Sequence, residues 1–141
     1  MIKQLNVFVE NVPGRLRSVT ANLLESGISI KTFSIQHRGD FGLLKLLVDK
    51  PEQAYLALCD RGFACALKDV VAVSMPDEQG SLHKLTSALA EEDMNIIDGS
   101  GVLLAGKGEG ICFIELERIE ETDKLMKIVE RLGFEPLYDY Q

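Results

Sequence analysis

The strongest constraint on this chain is that it repeats itself. Val12-Pro13-Gly14-Arg15-Leu16-Arg17-Ser18-Val19 lies over Glu78-Gln79-Gly80-Ser81-Leu82-His83-Lys84-Leu85, with Gly14 on Gly80, Leu16 on Leu82 and Val19 on Leu85. The offset is 66 residues and still holds for Leu23 on Leu89 and Ile30 on Ile96. It grows to 68 at Gly42 and Gly110 and to 71 at Gly62-Phe63 and Gly133-Phe134, which marks small insertions in the second copy. A self-similar chain uses one supersecondary unit more than once. Two units of about seventy residues, 1–68 and 69–141, joined near Lys68-Asp69, account for the 141 residues better than one irregular domain.

Within each unit the hydrophobic period changes in the same order. Leu5, Val7 and Val9 alternate with mostly polar residues, as on a half-buried strand. Leu16, Val19 and Leu23 line one helix face, and Gly27 is a natural stop. Ile28 to His37 reads as a strand, Arg38-Gly39-Asp40 as a turn and Phe41 to Val48 as the returning strand. Pro51 suits the first position of a second helix that stops before Gly62, and Phe63 to Leu67 closes the unit as a short strand. The second unit repeats this: a strand at Val70 to Ser74, a helix marked by Leu82, Leu85 and Leu89, and a hairpin of Asn95 to Ala105 with Ile111 to Glu117. Leu125, Ile128, Val129 and Leu132 then form a helical stripe capped by Gly133, and Phe134 to Tyr138 closes the chain. The order βαββαβ, twice, predicts an α+β fold: two tandem ferredoxin-like units, each an antiparallel sheet with its helices on one face.

Composition narrows the setting. Hydrophobic residues are 46% and charged residues 26%, which excludes disorder, while 6% aromatics and no Trp make the core aliphatic. No apolar stretch approaches the ~20 residues of a membrane span. Met1 to Asn6 runs directly into a strand pattern without a signal-peptide core. Cys59, Cys65 and Cys112 are an odd set with no CxxC spacing, which suits structural thiols in a reducing cytoplasm. The net charge of −7 speaks against nucleic-acid binding, as does the missing aromatic pattern of RNA-recognition modules on this topology. The charge is uneven: residues 1–68 carry nine Lys/Arg against six Asp/Glu, residues 69–141 six against sixteen.

Most catalytic chemistry finds no footing. Gly101-Val102-Leu103-Leu104-Ala105-Gly106-Lys107-Gly108 imitates a phosphate-binding GxxxxGK, but Gly108 replaces the magnesium-binding hydroxyl and a strand follows instead of a helix. A glycine-rich hairpin turn is expected there. His37 and His83 lack partners at metal or triad spacing, and Glu91-Glu92 and Glu120-Glu121 are adjacent acids that point apart. No catalytic residue, metal site or cofactor is expected.

The two loops between first strand and first helix are different. Glu10-Asn11-Val12-Pro13-Gly14-Arg15-Leu16 turns into a helix whose first amides lack partners and whose dipole favours a carboxylate. Gly14 lets a ligand approach the backbone, and Asn11 can offer its amide oxygen to an ammonium. A carboxylate beside an ammonium describes a free amino acid.

The pattern Asn11-x-Pro13-Gly14-x-Leu16-x-x-Val19, followed by Gly27-Ile28-Ser29-Ile30, resembles the signature of ACT domains, small βαββαβ modules that bind amino acids and regulate metabolic enzymes. The resemblance covers nearly the whole chain as two copies. It implies ligands held by the strand-to-helix loop of one module and the helix-to-strand corner of another. Carried over by position, it places a ligand on Asn11, Val12, Pro13, Gly14, Arg15 and Leu16 with Asn95 and Ile96, since serine-sensing members carry Asn-Ile at that corner. A weaker second site would use Asp77, Gln79, Gly80 and Ser29, where two acids, Asp77 and Glu78, oppose a carboxylate and the Pro is missing. Val9 stands where serine-sensing members have His, which leaves the ligand open.

The expectation is therefore a cytoplasmic, non-catalytic regulatory protein that binds a free amino acid, pairs as a homodimer and acts on a metabolic enzyme or regulator in trans. The alternatives are a ligand-free interaction module docking on an enzyme and, on the same topology, an acylphosphatase-like hydrolase using Arg15, Arg17 and Asn11.

Overall fold

The structure is a computed structural model that describes residues 1–104 and 106–139. It divides into two compact units, Lys3–Lys68 and the described residues from Asp69 onward, the latter joined by Met1–Ile2. The elements run β1 (Ile2–Glu10), α1 (Arg15–Glu25), β2 (Ile30–Arg38), β3 (Phe41–Val48), α2 (Pro51–Asp60), β4 (Ala64–Pro76), α3 (Ser81–Glu91), β5 (Ile96–Leu104), β6 (Glu109–Leu116), α4 (Thr122–Arg131) and β7 (Glu135–Leu137). A single 3-10 turn, Ile119–Glu121, leads into α4.

In the first unit β3 runs antiparallel between β2 and β1, with Leu5 opposite Leu46, Val7 opposite Leu44 and Ile35 opposite Leu44. Leu5, Val7 and Val9 alternate onto one sheet face and meet Val19 and Leu23 of α1 and Ala54 and Leu58 of α2. The second unit repeats the plan. β6 runs antiparallel between β5 and β4, and β7 pairs with the other side of β4. Val71, Val73 and Met75 pack against Leu85 and Leu89 of α3 and Leu125, Ile128 and Val129 of α4. The repeat extends to irregularities: β2 is bulged between Ile30 and Thr32, and β5 between Ile96 and Asp98.

The sequence expectation of two strands, Phe63 to Leu67 and Val70 to Ser74, is replaced by one thirteen-residue strand, β4. The reason is local: no Gly or Pro lies between Ala64 and Met75, and Lys68-Asp69 alone does not interrupt a β-branched run. Cys65 and Leu67 serve the first core, and Val71, Val73 and Met75 the second. The other boundaries shift by one or two residues, as element ends do. The expected strand end at Ala105 lies outside the described residues. Among the described residues no helix is long and apolar enough to cross a membrane.

Candidate functional site

The two strand-to-helix loops have the same backbone. Gly14 sits at φ 90°, ψ −12°, and Gly80 at φ 93°, ψ −5°, each as the residue before its helix. That left-handed geometry strains any other residue type and so explains the glycine at both positions. The hydrogen bonds repeat too. Asn11 N donates to Asp40 O (2.7 Å) and Asp77 N to Gly108 O (2.8 Å); Ser18 N donates to Gly14 O and Lys84 N to Gly80 O, both at 2.9 Å. Pro13 has Gln79 as its counterpart, so proline is not needed for the turn.

Side chains distinguish the loops. In the first, all of Asn11 to Leu16 is exposed. Asn11 Nδ2 donates to Gly39 O at 3.0 Å, which leaves its Oδ1 as the acceptor on offer. Arg15 lies 3.5 Å from Glu10, so its charge is shared with a neighbouring acid before any ligand arrives. In the second, Asp77, Glu78, Ser81 and Leu82 line a cavity of about 220 Å³ with Gly101 and Cys112 among its other walls. A second cavity of about 350 Å³ lies beneath α3 and shares Leu82, Gly101 and Cys112.

The corners after α1 and α3 also correspond. Ser29 N donates to Asp49 Oδ1 at 2.9 Å, and Asp49 N returns a bond to Ser29 O at 3.1 Å. In the second unit Glu117 N donates to Asn95 O (3.0 Å), and Asn95 Nδ2 donates to Glu117 Oε2 (3.3 Å). Asn95 is exposed with one amide hydrogen so engaged, whereas Ile96 packs against the second core. The first loop's residues and Asn95-Ile96 belong to different units, each built as described.

Other sequence candidates take structural places. The glycine-rich segment is a turn between β5 and β6, with Gly106 and Gly108 at positive φ, and it opens no helix. His83 Nε2 lies 3.3 Å from Ser87 Oγ on its own helix, and the His37 ring lies over Gly42. Glu92 is held by Lys124 at 2.9 Å, which lowers the carboxyl's pKa and raises the ammonium's. Cys59, Cys65 and Cys112 are free, partly buried thiols. Burial, followed by the neighbouring Cys59, pushes the Cys65 thiol up to about 12, and burial raises Cys112. Among the described residues no group of three His, Cys, Asp or Glu stands together as a metal would require.

Sequence reasoning missed Gly99, Gly101 and Cys112, which line the cavity under α3. The signal was present in the repeat: at the 66-residue offset these glycines replace Phe33 and Ile35.

The chain resembles known proteins over nearly its full length. Protein BT0572 from Bacteroides thetaiotaomicron is 32% identical, with a TM-score of 0.85 over 96% of this chain and 91% of that one. The ligand-free regulatory subunit of aspartate kinase from Thermus thermophilus shares the fold at 19% identity and TM-score 0.63, covering 92% of this chain and 91% of its own. Aspartate kinase from Synechocystis also shares it, at 15% identity and TM-score 0.60, over 92% of this chain but 25% of that larger one. No curated protein matches in sequence. The family model described as an ACT domain pair matches residues 1–135, and with the duplicated fold and loops this places the chain in the family of ACT domain pairs.

Proposed function

We propose that this protein is a non-catalytic, cytoplasmic regulator that binds a free amino acid at its strand-to-helix loops and passes that signal to a partner in amino-acid metabolism. The observation that carries the reading is the loop built twice, with a left-handed glycine leading into an eleven-residue helix in each unit. Such a turn brings backbone amides and a helix dipole to a ligand carboxylate while leaving no Cβ in the way. Membership of the ACT domain pair family supports it. The resemblance in fold to a regulatory subunit of aspartate kinase makes a metabolic enzyme a reasonable class of partner.

The two loops compete for the role of principal site. Charge favours Asn11 to Leu16, because Asp77 and Glu78 oppose a carboxylate at the second loop. The Arg15–Glu10 pair weakens that preference, and the cavity beside Asp77 and Glu78 favours the second loop. A thermal-shift screen of the twenty amino acids tests the reading. Ligand at 100 times its dissociation constant adds roughly 2.7 kcal/mol to stability. One or a few amino acids should raise the melting temperature; a flat response to all twenty would favour a ligand-free docking module instead. Calorimetry on Gly14→Val and Gly80→Val, each checked for folding, then assigns the loop.

A further inference from the structure

The corner after the second helix is built alike in both units, yet only the first unit places two thiols there. Phe63 N donates to Leu58 O and Gly62 N to Cys59 O, both at 3.0 Å, where α2 gives way to β4. In the second unit Phe134 N donates to Val129 O and Gly133 N to Glu130 O, again at 3.0 Å. At this 71-residue offset Cys59 corresponds to Glu130 and Cys65 to Pro136. The corner therefore forms without sulfur, and the two cysteines of the first unit are additions to it.

Those additions face one another. Cys59 is one residue from the end of α2, and Cys65 is the second residue of β4. Tyr55 stands four residues before Cys59 on the same side of α2, and Tyr55 and Cys65 both pack against the first core. The Cys59 sulfur lies between them: the Tyr55 hydroxyl and the Cys65 thiol both donate to it. Both cysteines are free and only partly buried, so a small oxidant can reach them. Burial, followed by Cys59 itself, pushes the Cys65 thiol up to about 12, which keeps its proton in place at neutral pH and leaves Cys59 as the sulfur that attacks first. Cys112 is the one cysteine of the second unit.

We propose that Cys59 and Cys65 are an oxidisable dithiol, which hydrogen peroxide converts to a disulfide joining the end of α2 to the start of β4. The Cys59 thiolate attacks one peroxide oxygen and the O–O bond breaks. The other oxygen leaves as hydroxide, takes up the proton that Cys59 released and becomes water, and Cys59 becomes a sulfenic acid. The Cys65 sulfur then attacks the Cys59 sulfur, the S–O bond breaks, and the leaving hydroxide carries off the Cys65 proton as a second water. The two thiols together lose two electrons and the peroxide gains them. A dithiol reductant reverses the change by exchange. This site is independent of the amino-acid-binding reading above.

The test is oxidation of the full chain by a small excess of hydrogen peroxide at neutral pH, read by thiol titration, intact mass and peptide mapping. Free thiols should fall from three to one, the mass should drop by two hydrogens, and the map should join Cys59 to Cys65 with Cys112 still free. Dithiothreitol should restore all three thiols. Cys65→Ser should stop at a Cys59 sulfenic acid that dimedone captures, and Cys59→Ser should slow oxidation of Cys65 by about ten-fold or more. If either variant does not fold, the map and time course of the unaltered protein decide. Oxidation of Cys59 to a sulfinic acid without the link overturns the proposal, as does a disulfide between two chains or oxidation of Cys112 as fast as Cys59. An unchanged thiol count after prolonged exposure overturns it too.

Discussion

Asp93 holds φ at 55°, the one non-glycine residue at positive φ among those described, at the place where the first unit has Gly27 at φ 69°. Both follow a helix whose end is closed by a bond back to the last turn, Ile28 N to Leu23 O at 2.9 Å and Met94 N to Leu89 O at 3.0 Å. Asp tolerates this conformation better than most side chains, whose left-handed penalty is about 1–2 kcal/mol. Asp93→Gly is expected to raise stability by up to about 1 kcal/mol and Asp93→Val to lower it by about 1–2 kcal/mol, read from thermal melts. The thiols carry a second residue-scale expectation. Burial pushes the Cys65 thiol up to about 12 in the folded chain, whereas an unfolded thiol ionises near 9.0. The folded form therefore binds more protons across that window, and stability falls as pH rises through it. Melting temperature should decline between pH 9 and 11, and Cys65 should react slowly with a disulfide reagent at pH 8. A flat melting temperature with fast Cys65 labelling would show the thiol to be open.

At the scale of elements, each unit stands on its own aliphatic core, and equivalent residues fill equivalent places. Leu23 and Leu89 are both essentially inaccessible, at 0% and 1% exposure. Leu23→Ala and Leu89→Ala should each cost about 2–5 kcal/mol by denaturant titration, the range for truncating a buried leucine. A loss below 1 kcal/mol at either would mean that the helix above it had collapsed into the space. The helices themselves were largely legible. Leu125, Ile128 and Val129 are buried on α4 as the stripe predicts, and Pro51 begins α2. The strands were legible in order but not in extent, because only turn residues mark strand ends in sequence and β4 has none at its middle.

At the scale of the molecule, β2 and β5 each pair on one side only among the described residues and present apolar groups, Ile30 and Phe33 on one strand, Ile97, Val102 and Leu103 on the other. Open strand edges with exposed apolar side chains seek pairing. A closed dimer is the commonest oligomer. Light scattering should therefore give twice the chain mass of 15.6 kDa at high micromolar concentration. A monomer there, with Phe33→Lys and Leu103→Lys changing nothing, would mean that these edges stay unpaired in solution.

The sequence by itself determined the duplication, the βαββαβ order, the helix faces and the two loops, because each of these is written in local spacing. Gly14 and Gly80 could be read as turn glycines from their place before an apolar stripe. Gly99 and Gly101 fall in a strand in the sequence reading and in the structure alike, and tertiary structure alone decided that they line a cavity beside α3. It also decided that Asn95 faces Glu117. That pairing and that volume depend on which distant segments the sheet register brings opposite one another, and residue spacing along one segment does not encode them.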